Sequence, residues 1–250
     1  VEEVLVAIEE LDCIRGGFDY DTDGAVIKLN RFDLRERIGN TAKAPRWAIA
    51  YKYAAEQAET LLKAITVQVG RTGALTPVAE LEPVFVAGGT VSRATLHNEE
   101  EIARKDIREG DTVIIEKAGE IIPAVIEVVL AKRPDSAKPF TLKKKCPECG
   151  TAASKVTEDD VVWRCANPDC PAQVRGRLEH YCARGAMDIE GGGEVLVKQI
   201  VARGLAYDVG ELYRLKLEEV ASLERMAEKS AQNFLDGLEA SKGRDLWRLV

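Results

Sequence analysis

Residues 146–170 read CPECGTAASKVTEDDVVWRCANPDC, and four of the six cysteines of the chain lie in this stretch. Cys146 and Cys149 form a C-x2-C pair, and Cys165 and Cys170 form a C-x4-C pair after 15 intervening residues. Four soft thiolates at this spacing are typical of a tetrahedral zinc site. Because a closed four-thiolate site leaves no position for water, we expect this zinc to stabilise a small domain rather than to catalyse a reaction.

The alternative for these cysteines is a pair of disulfides in a secreted domain. Residues 1–12, VEEVLVAIEELD, are acidic with helical periodicity, so they do not form a signal peptide, and they do not begin with Met. We therefore favour zinc, and we interpret the chain as an internal piece of a longer protein. Cys13 and Cys182 have no partner at metal-ligand spacing, and we expect both to be buried as small hydrophobic side chains.

The composition is that of an ordinary globular protein. Apolar residues make up 46% and charged residues 31% of the 250 residues, which is enough for two or three domains with real cores. The net charge of −7 excludes a uniformly basic nucleic-acid coat. The longest uncharged apolar run, near residues 121–126, is far shorter than the roughly 20 residues that span a bilayer, so we expect no membrane segment.

The pattern of apolar residues predicts a multidomain α+β protein. Residues 25–30 and 46–53 alternate with period two, which predicts two strands that carry Lys28 and Lys52. From about residue 63 to 130, short β-rich runs alternate with Gly and Pro turns, which predicts a small β-barrel. Beyond Cys170 the periodicity is helical.

The surroundings of the two strand lysines favour a phosphate or nucleotide site. A strand lysine usually faces solvent and has no catalytic role. Here Asp23 and Gly24 immediately precede the strand of Lys28, so a carboxylate and a glycine that allows close approach lie at the start of that strand. Lys52 is flanked by Trp47, Tyr51 and Tyr53. A lysine beside flat aromatic side chains suits a nucleobase with attached phosphates.

Several motifs, taken in order and spacing, resemble those of the bacterial NAD-dependent DNA ligases. The resemblance covers essentially the whole chain and includes the four clustered cysteines. The other motifs are DGAVIK at 23–28, APRWAIAYKY at 44–53, VQVGRTGALTPVA at 67–79, TVSRATLHNEEEI at 90–102 and MDIEGGGE at 187–194.

The resemblance implies four domains and a function in DNA joining. The parent protein would use a lysine to attack NAD, transfer AMP to the 5′-phosphate of a nick in double-stranded DNA, and seal the nick with the 3′-hydroxyl. It would need NAD, a structural Zn²⁺, and Mg²⁺ or Mn²⁺, and it would be a cytoplasmic monomer. The expected domains are the end of a nucleotidyltransferase domain at 1–61, an OB-fold at 62–135, a four-cysteine zinc finger at 140–175, and the start of a helix-hairpin-helix region at 176–250.

The resemblance also implies roles for individual residues. Lys28, Lys52 and Asp23 match catalytic residues around the adenylate, and Arg15 matches an arginine of the same pocket. The residues that match DNA contacts are Arg71, Thr72, Lys117, Ile121, Ile122, Gly191 and Gly193. Lys117 stands where the family usually has Arg, so its phosphate contact lacks the bidentate fork of a guanidinium.

The chain departs from the family pattern in ways that leave the function of the isolated piece open. No K-x-D-G motif, which carries the nucleophilic lysine of the family, occurs in the sequence, so we expect no self-adenylylation. The alternatives are a non-catalytic DNA-binding module made of OB-fold and zinc finger, or a degenerate relative with an architectural role. Further candidate phosphate contacts are Arg175 and Arg177, and a second hairpin at residues 225–227 lacks the glycines of the family.

Overall fold

The computed structural model describes residues 1–20, 22–117 and 122–249. The chain divides into two compact units. The first comprises residues 1–65, 79–96 and 105–139, and the second comprises residues 66–78, 97–104 and the chain from residue 140 onward.

The first unit begins with a two-stranded ribbon and two helices. Its elements are α1 (Glu2–Ile14), β1 (Gly24–Lys28), α2 (Phe32–Ile38) and β2 (Ala48–Lys52). β1 and β2 pair antiparallel, with Gly24 opposite Lys52 and Lys28 opposite Ala48. The two predicted strands are confirmed, because both overlap the segments in which apolar and polar residues alternate.

A closed five-stranded barrel follows, as the pattern of short strands predicts. Its strands lie in the order β3-β4-β5-β7-β6, and β3 closes the barrel by pairing antiparallel with β6. The helix α3 connects β5 to β6. The bounds are β3 (Glu56–Val69), β4 (Leu75–Val86), β5 (Gly89–Thr95), α3 (Glu99–Lys105), β6 (Thr112–Lys117) and β7 (Ala124–Val128).

Apolar side chains fill the barrel, and one buried carboxylate lies beside them. Leu62, Val113 and Ile115 have no exposed surface. Asp111 is also fully buried, and its carboxylate accepts hydrogen bonds from the Arg133 side chain at 2.8 Å and from the Arg108 backbone N–H at 2.8 Å. A buried charge is tolerated only when it is paired in this way.

The second unit contains the cysteine cluster and a helical region. The helices pack around a core that includes Leu178, Ile200 and Phe234, and α4 begins with Pro171 at its first position, where a missing N–H costs nothing. The helical prediction beyond Cys170 is confirmed. The elements are β8 (Ala153–Ser154), β9 (Arg164–Cys165), α4 (Pro171–Cys182), α5 (Glu194–Ala202), α6 (Val209–Leu212), α7 (Leu217–Ala221) and α8 (Glu228–Ser241).

The two cysteines outside the cluster differ in burial. Cys182 is 3% exposed and lies in the core of the helical region, as expected. The same expectation is wrong for Cys13, which is exposed on α1. Only Ile8 of that helix is buried, so the helix has a narrow apolar contact that does not reach Cys13. In the part of the chain that the structure describes, we find no helix with the length and apolar character needed to cross a membrane.

Candidate functional site

The β1–β2 ribbon places Lys28 and Lys52 on the same face. Residues directly opposite each other in an antiparallel pair project to the same side, and so do residues two apart on one strand. Gly24 is opposite Lys52, and Lys28 lies four residues from Gly24 on the same strand. The two lysines therefore share a face and are separated along the ribbon by about 13 Å, since a strand rises about 3.3 Å per residue.

Asp23 is positioned beside Lys52 by the start of β1. The Lys52 ammonium lies 3.3 Å from Asp23 Oδ2, and the backbone N–H of Tyr53 donates to the Asp23 carbonyl at 3.0 Å. A Cβ at Gly24 would lie 2.3 Å from the Tyr51 carbonyl oxygen, so only glycine allows the strands to approach this closely here. The Asp-Gly pair that the sequence singles out thus sets the register that brings Asp23 to Lys52.

Arg15 lies close to the same end of the ribbon. Its guanidinium donates to the Thr22 carbonyl at 3.1 Å and to the Asp12 carboxylate at 2.6 Å, and it lies 4.9 Å from the centre of the Tyr53 ring. The Thr22 hydroxyl is buried and has no hydrogen-bond partner among the described residues. Arg15 therefore braces the segment before Asp23, whereas Lys28 has no ion pair with a described residue and leaves its charge available to a ligand.

The four clustered cysteines form a metal centre of the kind expected. All four Sγ atoms lie within 4.8 Å of one another. The Sγ atoms of Cys146 and Cys170 are 3.8 Å apart, and those of Cys149 and Cys165 are 3.5 Å apart. Two sulfurs bound at about 2.3 Å to a tetrahedral ion are about 3.8 Å apart, so the spacing fits zinc. All four are free thiols, so the disulfide alternative is excluded.

The surroundings of the thiols favour binding of a cation. Cys149 lies at the first knuckle, where Gly150 adopts a φ of +75° and donates its N–H to the Cys146 carbonyl at 3.0 Å. The neighbouring Thr151 hydroxyl lowers the pKa of Cys149 to about 6, whereas burial raises the pKa of Cys170 to about 12. Of these two ligands, Cys149 therefore ionises more readily, and the Cys170 thiol gains more from a bound metal that stabilises its thiolate.

The turn between β3 and β4 carries Arg71 and Thr72 beside α4. A Cβ at Gly176 of α4 would lie 3.0 Å from the Arg71 Cα, so this glycine lets the turn pack directly on the helix. The Thr72 hydroxyl accepts a hydrogen bond from Arg164 at 3.0 Å. The Arg71 guanidinium has no hydrogen-bond or ion-pair partner among the described residues.

Arg71 lines a cavity of about 350 Å³ within the second unit, and we call it the cationic cavity because its charged lining residues are arginines. Arg177 and His180, one turn apart on α4, line the same cavity, and so do Trp247 and Arg248. None of the described residues that line it carries a carboxylate. Its remaining residues are Tyr181, Gly185, Ala186, Val209 and Leu249. The cavity therefore favours an anionic ligand, although the chain as a whole is acidic.

The other predicted DNA-contact residues fall in three places. Lys117 ends β6 and donates to the Ala87 carbonyl at 3.3 Å, so its ammonium is directed to the β4–β5 turn. Ile122 is 73% exposed, as a side chain that packs against a partner would be. Ile121 lies outside the described residues. Gly191 and Gly193 lie in the third place, which is the segment before α5.

The glycine segment precedes α5 as expected. Gly191 has a φ of +82°, and Gly193 caps α5, whose first backbone N–H groups lie at an open helix end. A Cβ at Gly192 would lie 2.6 Å from the Cys182 Cβ, so the middle glycine is packed closely on α4.

Family models match three successive parts of the chain. Residues 1–56 match the NAD-dependent DNA ligase adenylation domain, residues 59–137 the NAD-dependent DNA ligase OB-fold domain, and residues 145–172 the NAD-dependent DNA ligase C4 zinc finger domain. The third match contains the four cysteines of the metal centre. The chain belongs to the NAD-dependent DNA ligase family.

Relatives within this ligase family match the chain from end to end. It is 54% identical over 249 residues to DNA ligase 1 of Opitutus terrae, 50% identical over 250 residues to a DNA ligase of Thermoanaerobacter sp., and 51% identical over 251 residues to a DNA ligase of Chlorobaculum parvum. Each alignment covers 100% of this chain. The chain spans 37%, 38% and 37% of the length of these ligases, respectively.

Sequence reasoning missed several residues of this ligase chain that lie at the candidate sites. His180 follows Arg177 by three residues on a predicted helix, so helical spacing could have found it. Arg164 and Arg248 carry no comparable signal, because their contacts with Thr72 and the cavity join residues far apart in sequence.

Proposed function

We propose that this chain is the part of an NAD-dependent DNA ligase that completes the adenylate pocket and holds the nicked DNA. The observation that carries the proposal is the shared face of Lys28 and Lys52, with Asp23 beside Lys52, in a segment that matches the adenylation domain of the family. The parent protein joins DNA by transferring AMP from NAD to the 5′-phosphate of a nick.

In the adenylate pocket, the two lysines supply positive charge to phosphate oxygens. The adenylate would lie along the face of the ribbon between Lys28 and Lys52. Phosphoryl transfer depends on in-line positioning and on stabilising the charge of the transferring group, and both are functions that fixed ammonium groups provide. Asp23 restrains the Lys52 ammonium at 3.3 Å, and Arg15 braces the loop before Asp23.

In the second unit, Arg71, Thr72 and the cationic cavity supply contacts to the DNA backbone. Arg71 has no hydrogen-bond or ion-pair partner among the residues that the structure describes, and Arg177 and His180 line the same cavity. Such clusters bind phosphates by neutralising charge and releasing counterions, independently of sequence. Lys117, the exposed Ile122 and the glycine segment before α5 are further proposed contacts, and Ile121 joins them by resemblance. The helical region would correspond to the helix-hairpin-helix domain.

The metal requirement divides into two parts. Zinc fits the four cysteines by donor type and by distance, and it would hold the knuckles together when bound. Mg²⁺ or Mn²⁺ is implied by the family, but the cysteines are the only group of three or more potential ligands within residues 1–20, 22–117 and 122–249. We assign no residue of this chain to that ion. A cytoplasmic location, a monomeric state and the domain limits 1–61, 62–135, 140–175 and 176–250 remain predictions.

Complementation tests the catalytic proposal. The zinc-loaded chain is fused to an N-terminal piece of a family member that carries the K-x-D-G motif, and nick sealing with NAD is measured. We expect sealing that falls by at least about 100-fold in Lys28→Ala and Lys52→Ala. Full sealing in both variants, or none in a fusion whose two parts are shown to be folded, would contradict the proposal.

A second candidate is a DNA-binding module without a catalytic role, which the three arginines that line the cavity, Arg71, Arg177 and Arg248, favour. Both candidates predict that affinity for a nicked duplex falls with salt. They differ in the expected effect of Lys28→Ala. If the chain only binds DNA, this variant changes neither the affinity for DNA nor the sealing activity of the fusion. If the chain is a catalytic part of the ligase, the variant loses sealing activity and keeps its affinity for DNA.

A further inference from the structure

We propose that the second zinc knuckle positions the DNA-contacting turn, so that the metal acts on DNA binding through Arg71. The knuckle comprises residues 163–165 and includes the ligand Cys165, and the turn comprises residues 70–75. This inference rests on the proposed function, because it takes Arg71 as a contact to DNA. It assigns positioning roles to Arg164 and Gln173, which no resemblance suggests.

A short backbone ladder joins the knuckle to the turn. The Leu75 N–H donates to the Trp163 carbonyl at 2.8 Å, and the Cys165 N–H donates to the Gly73 carbonyl at 2.8 Å. Ala74 and Arg164 form an antiparallel bridge between them. The backbone N–H of the metal ligand Cys165 is thus hydrogen-bonded to Gly73, which lies two positions after Arg71.

Two side chains extend this ladder. Arg164 donates to the Thr72 hydroxyl at 3.0 Å. Gln173, which is 7% exposed, donates its amide to the carbonyls of Cys165 at 3.0 Å and Asn167 at 2.8 Å. Gln173 comes from α4, so it fastens the knuckle to the helix. The Gln173 amide is buried, so leaving it unpaired would be costly, whereas the Arg164–Thr72 hydrogen bond lies at the surface.

Two glycines allow the turn to lie between the knuckle and the helix. A Cβ at Gly73, whose φ is +80°, would lie 2.6 Å from the Cys165 carbonyl oxygen and 3.0 Å from Gln173 Nε2. A Cβ at Gly176 would lie 3.0 Å from the Arg71 Cα. The backbone on both sides of Arg71 is therefore held in close contact, and Arg71 lines the same cavity as Arg177 and His180.

Metal binding at the cysteines fixes both surfaces that hold the turn. Cys165 is the last residue of β9, which carries the ladder, and Cys170 is the N-cap of α4, which carries Gln173 and Gly176. An ion bonded to both sulfurs ties β9 to the first turn of α4. Without it, the ladder depends on a two-residue strand and a few hydrogen bonds, which are too weak to hold the turn in one place.

A double-mutant cycle on the zinc-loaded chain tests the positioning role. Affinity for a nicked duplex is measured for Arg164→Met, Arg71→Gln and the double variant, with zinc content verified in each. We expect each single variant to bind about 3- to 10-fold more weakly, and Arg164→Met to have no further effect once Arg71 is replaced. Arg203→Met, which removes the same charge from an exposed site outside the cavity, is the matched control and should change affinity by less than about twofold.

The cycle separates two kinds of failure. If Arg71→Gln does not weaken binding, the proposed DNA contact is wrong. If Arg71→Gln weakens binding but the effect of Arg164→Met adds to it in full, Arg164 contacts DNA by itself and the positioning inference is wrong. Gln173→Leu should behave as Arg164→Met does, because it removes the clamp without changing charge, and an additive loss there would also count against the inference.

Hydrogen exchange tests the role of the metal without measuring activity. After chelation of zinc, we expect the amides of Leu75 and Cys165 to exchange at least about 10-fold faster, while Val197 in the core of α5 keeps its protection. Slow exchange of Leu75 in the metal-free chain would show that the turn does not depend on zinc and would overturn the inference.

Discussion

The Lys52 ammonium lies 3.3 Å from the Asp23 carboxylate, and the two side chains are 61% and 62% exposed. An ion pair this open to solvent contributes little to stability. The backbone around it is nevertheless tightly specified, because Gly24 has no room for a Cβ and the Tyr53 N–H is bonded to the Asp23 carbonyl. The position of Asp23 is therefore fixed by the backbone and not by the ion pair, and the proposed role of its carboxylate is to restrain Lys52.

The first prediction separates these two roles of Asp23. Asp23→Asn keeps the shape of the side chain but removes its charge. We expect the free energy of unfolding to change by less than about 0.5 kcal/mol, because the pair is exposed. In the fusion that seals nicks, we expect kcat to fall by roughly 10-fold or more, since the Lys52 ammonium loses its restraint. Denaturant unfolding measures the change in stability, and sealing kinetics measure the change in kcat. A large loss of stability with an unchanged kcat would contradict the prediction.

The second prediction concerns the cationic cavity. In Arg177→Gln, one phosphate contact is lost, so the slope of log affinity against log salt should decrease by about 0.9. The loss should be similar for duplexes of different sequence, because phosphate contacts do not read bases. Filter binding or fluorescence anisotropy at several salt concentrations measures it. Arg203→Gln, exposed at the end of α5, should leave the slope unchanged, and an equal decrease in both variants would indicate only a general charge effect.

The third prediction concerns the metal centre. Cys149→Ser replaces a thiol ligand, whose pKa the Thr151 hydroxyl lowers, with a hydroxyl group that is a poor ligand for zinc. We expect the purified variant to hold well under one zinc per chain and the second unit to unfold at lower temperature, because metal binding supplies folding free energy to this short segment. Metal analysis and thermal unfolding measure these effects. Cys13→Ser is the control, since Cys13 is exposed and outside the cluster.

Local patterns in the sequence predict much of this structure. Alternation predicts that Lys28 and Lys52 lie on strands, and the spacing of Cys146 to Cys170 predicts the metal centre, because both depend on residues close in sequence. The contact of Arg164 with Thr72 is different. The two residues are 92 positions apart, and neither segment alone carries a pattern that specifies the other. The exposure of Cys13 was also unpredictable, because it depends on how little of α1 packs against the rest of the unit.

The fourth prediction follows from the buried Cys182 thiol. Burial raises its pKa to about 11, whereas in the unfolded chain a thiol titrates near its ordinary value of about 8.5 to 9. A raised pKa in the folded state stabilises the protein fully below the unfolded value and loses that contribution as the pH rises toward 11. We therefore expect the free energy of unfolding of the parent chain to fall as the pH rises from about 9 to 11. In Cys182→Ala this fall should be smaller by up to about 2–3 kcal/mol, because the buried thiol is absent.

The control for this pH dependence is the other cysteine outside the cluster. Cys13→Ala removes an exposed thiol and should leave the slope of stability against pH unchanged. Denaturant unfolding at pH 7 to 11 provides the comparison. At pH 7, Cys182→Ala should cost about 1 kcal/mol or more, because it leaves a small cavity beside Gly192. Identical slopes for the parent chain and Cys182→Ala would show that the thiol does not stay neutral in the fold.

The fifth prediction concerns residues 225–227, which the resemblance to the family leads us to expect as a second hairpin. Arg225 has a φ of +61°, a left-handed conformation that strains a side chain with a Cβ but not glycine. The side chain is exposed, so its removal loses little packing. Arg225→Gly should therefore raise the free energy of unfolding by about 0.5–1 kcal/mol, after allowing for the greater entropy that glycine gives the unfolded chain.

A second glycine substitution shows whether this gain is specific to the backbone of residue 225. Lys198 is exposed in the interior of α5, where glycine is unfavourable, so Lys198→Gly should lower the free energy of unfolding by about 1 kcal/mol. Both variants remove one positive charge, and a general charge effect would shift them in the same direction. A loss of stability in Arg225→Gly as large as that in Lys198→Gly would mean that residue 225 is not strained.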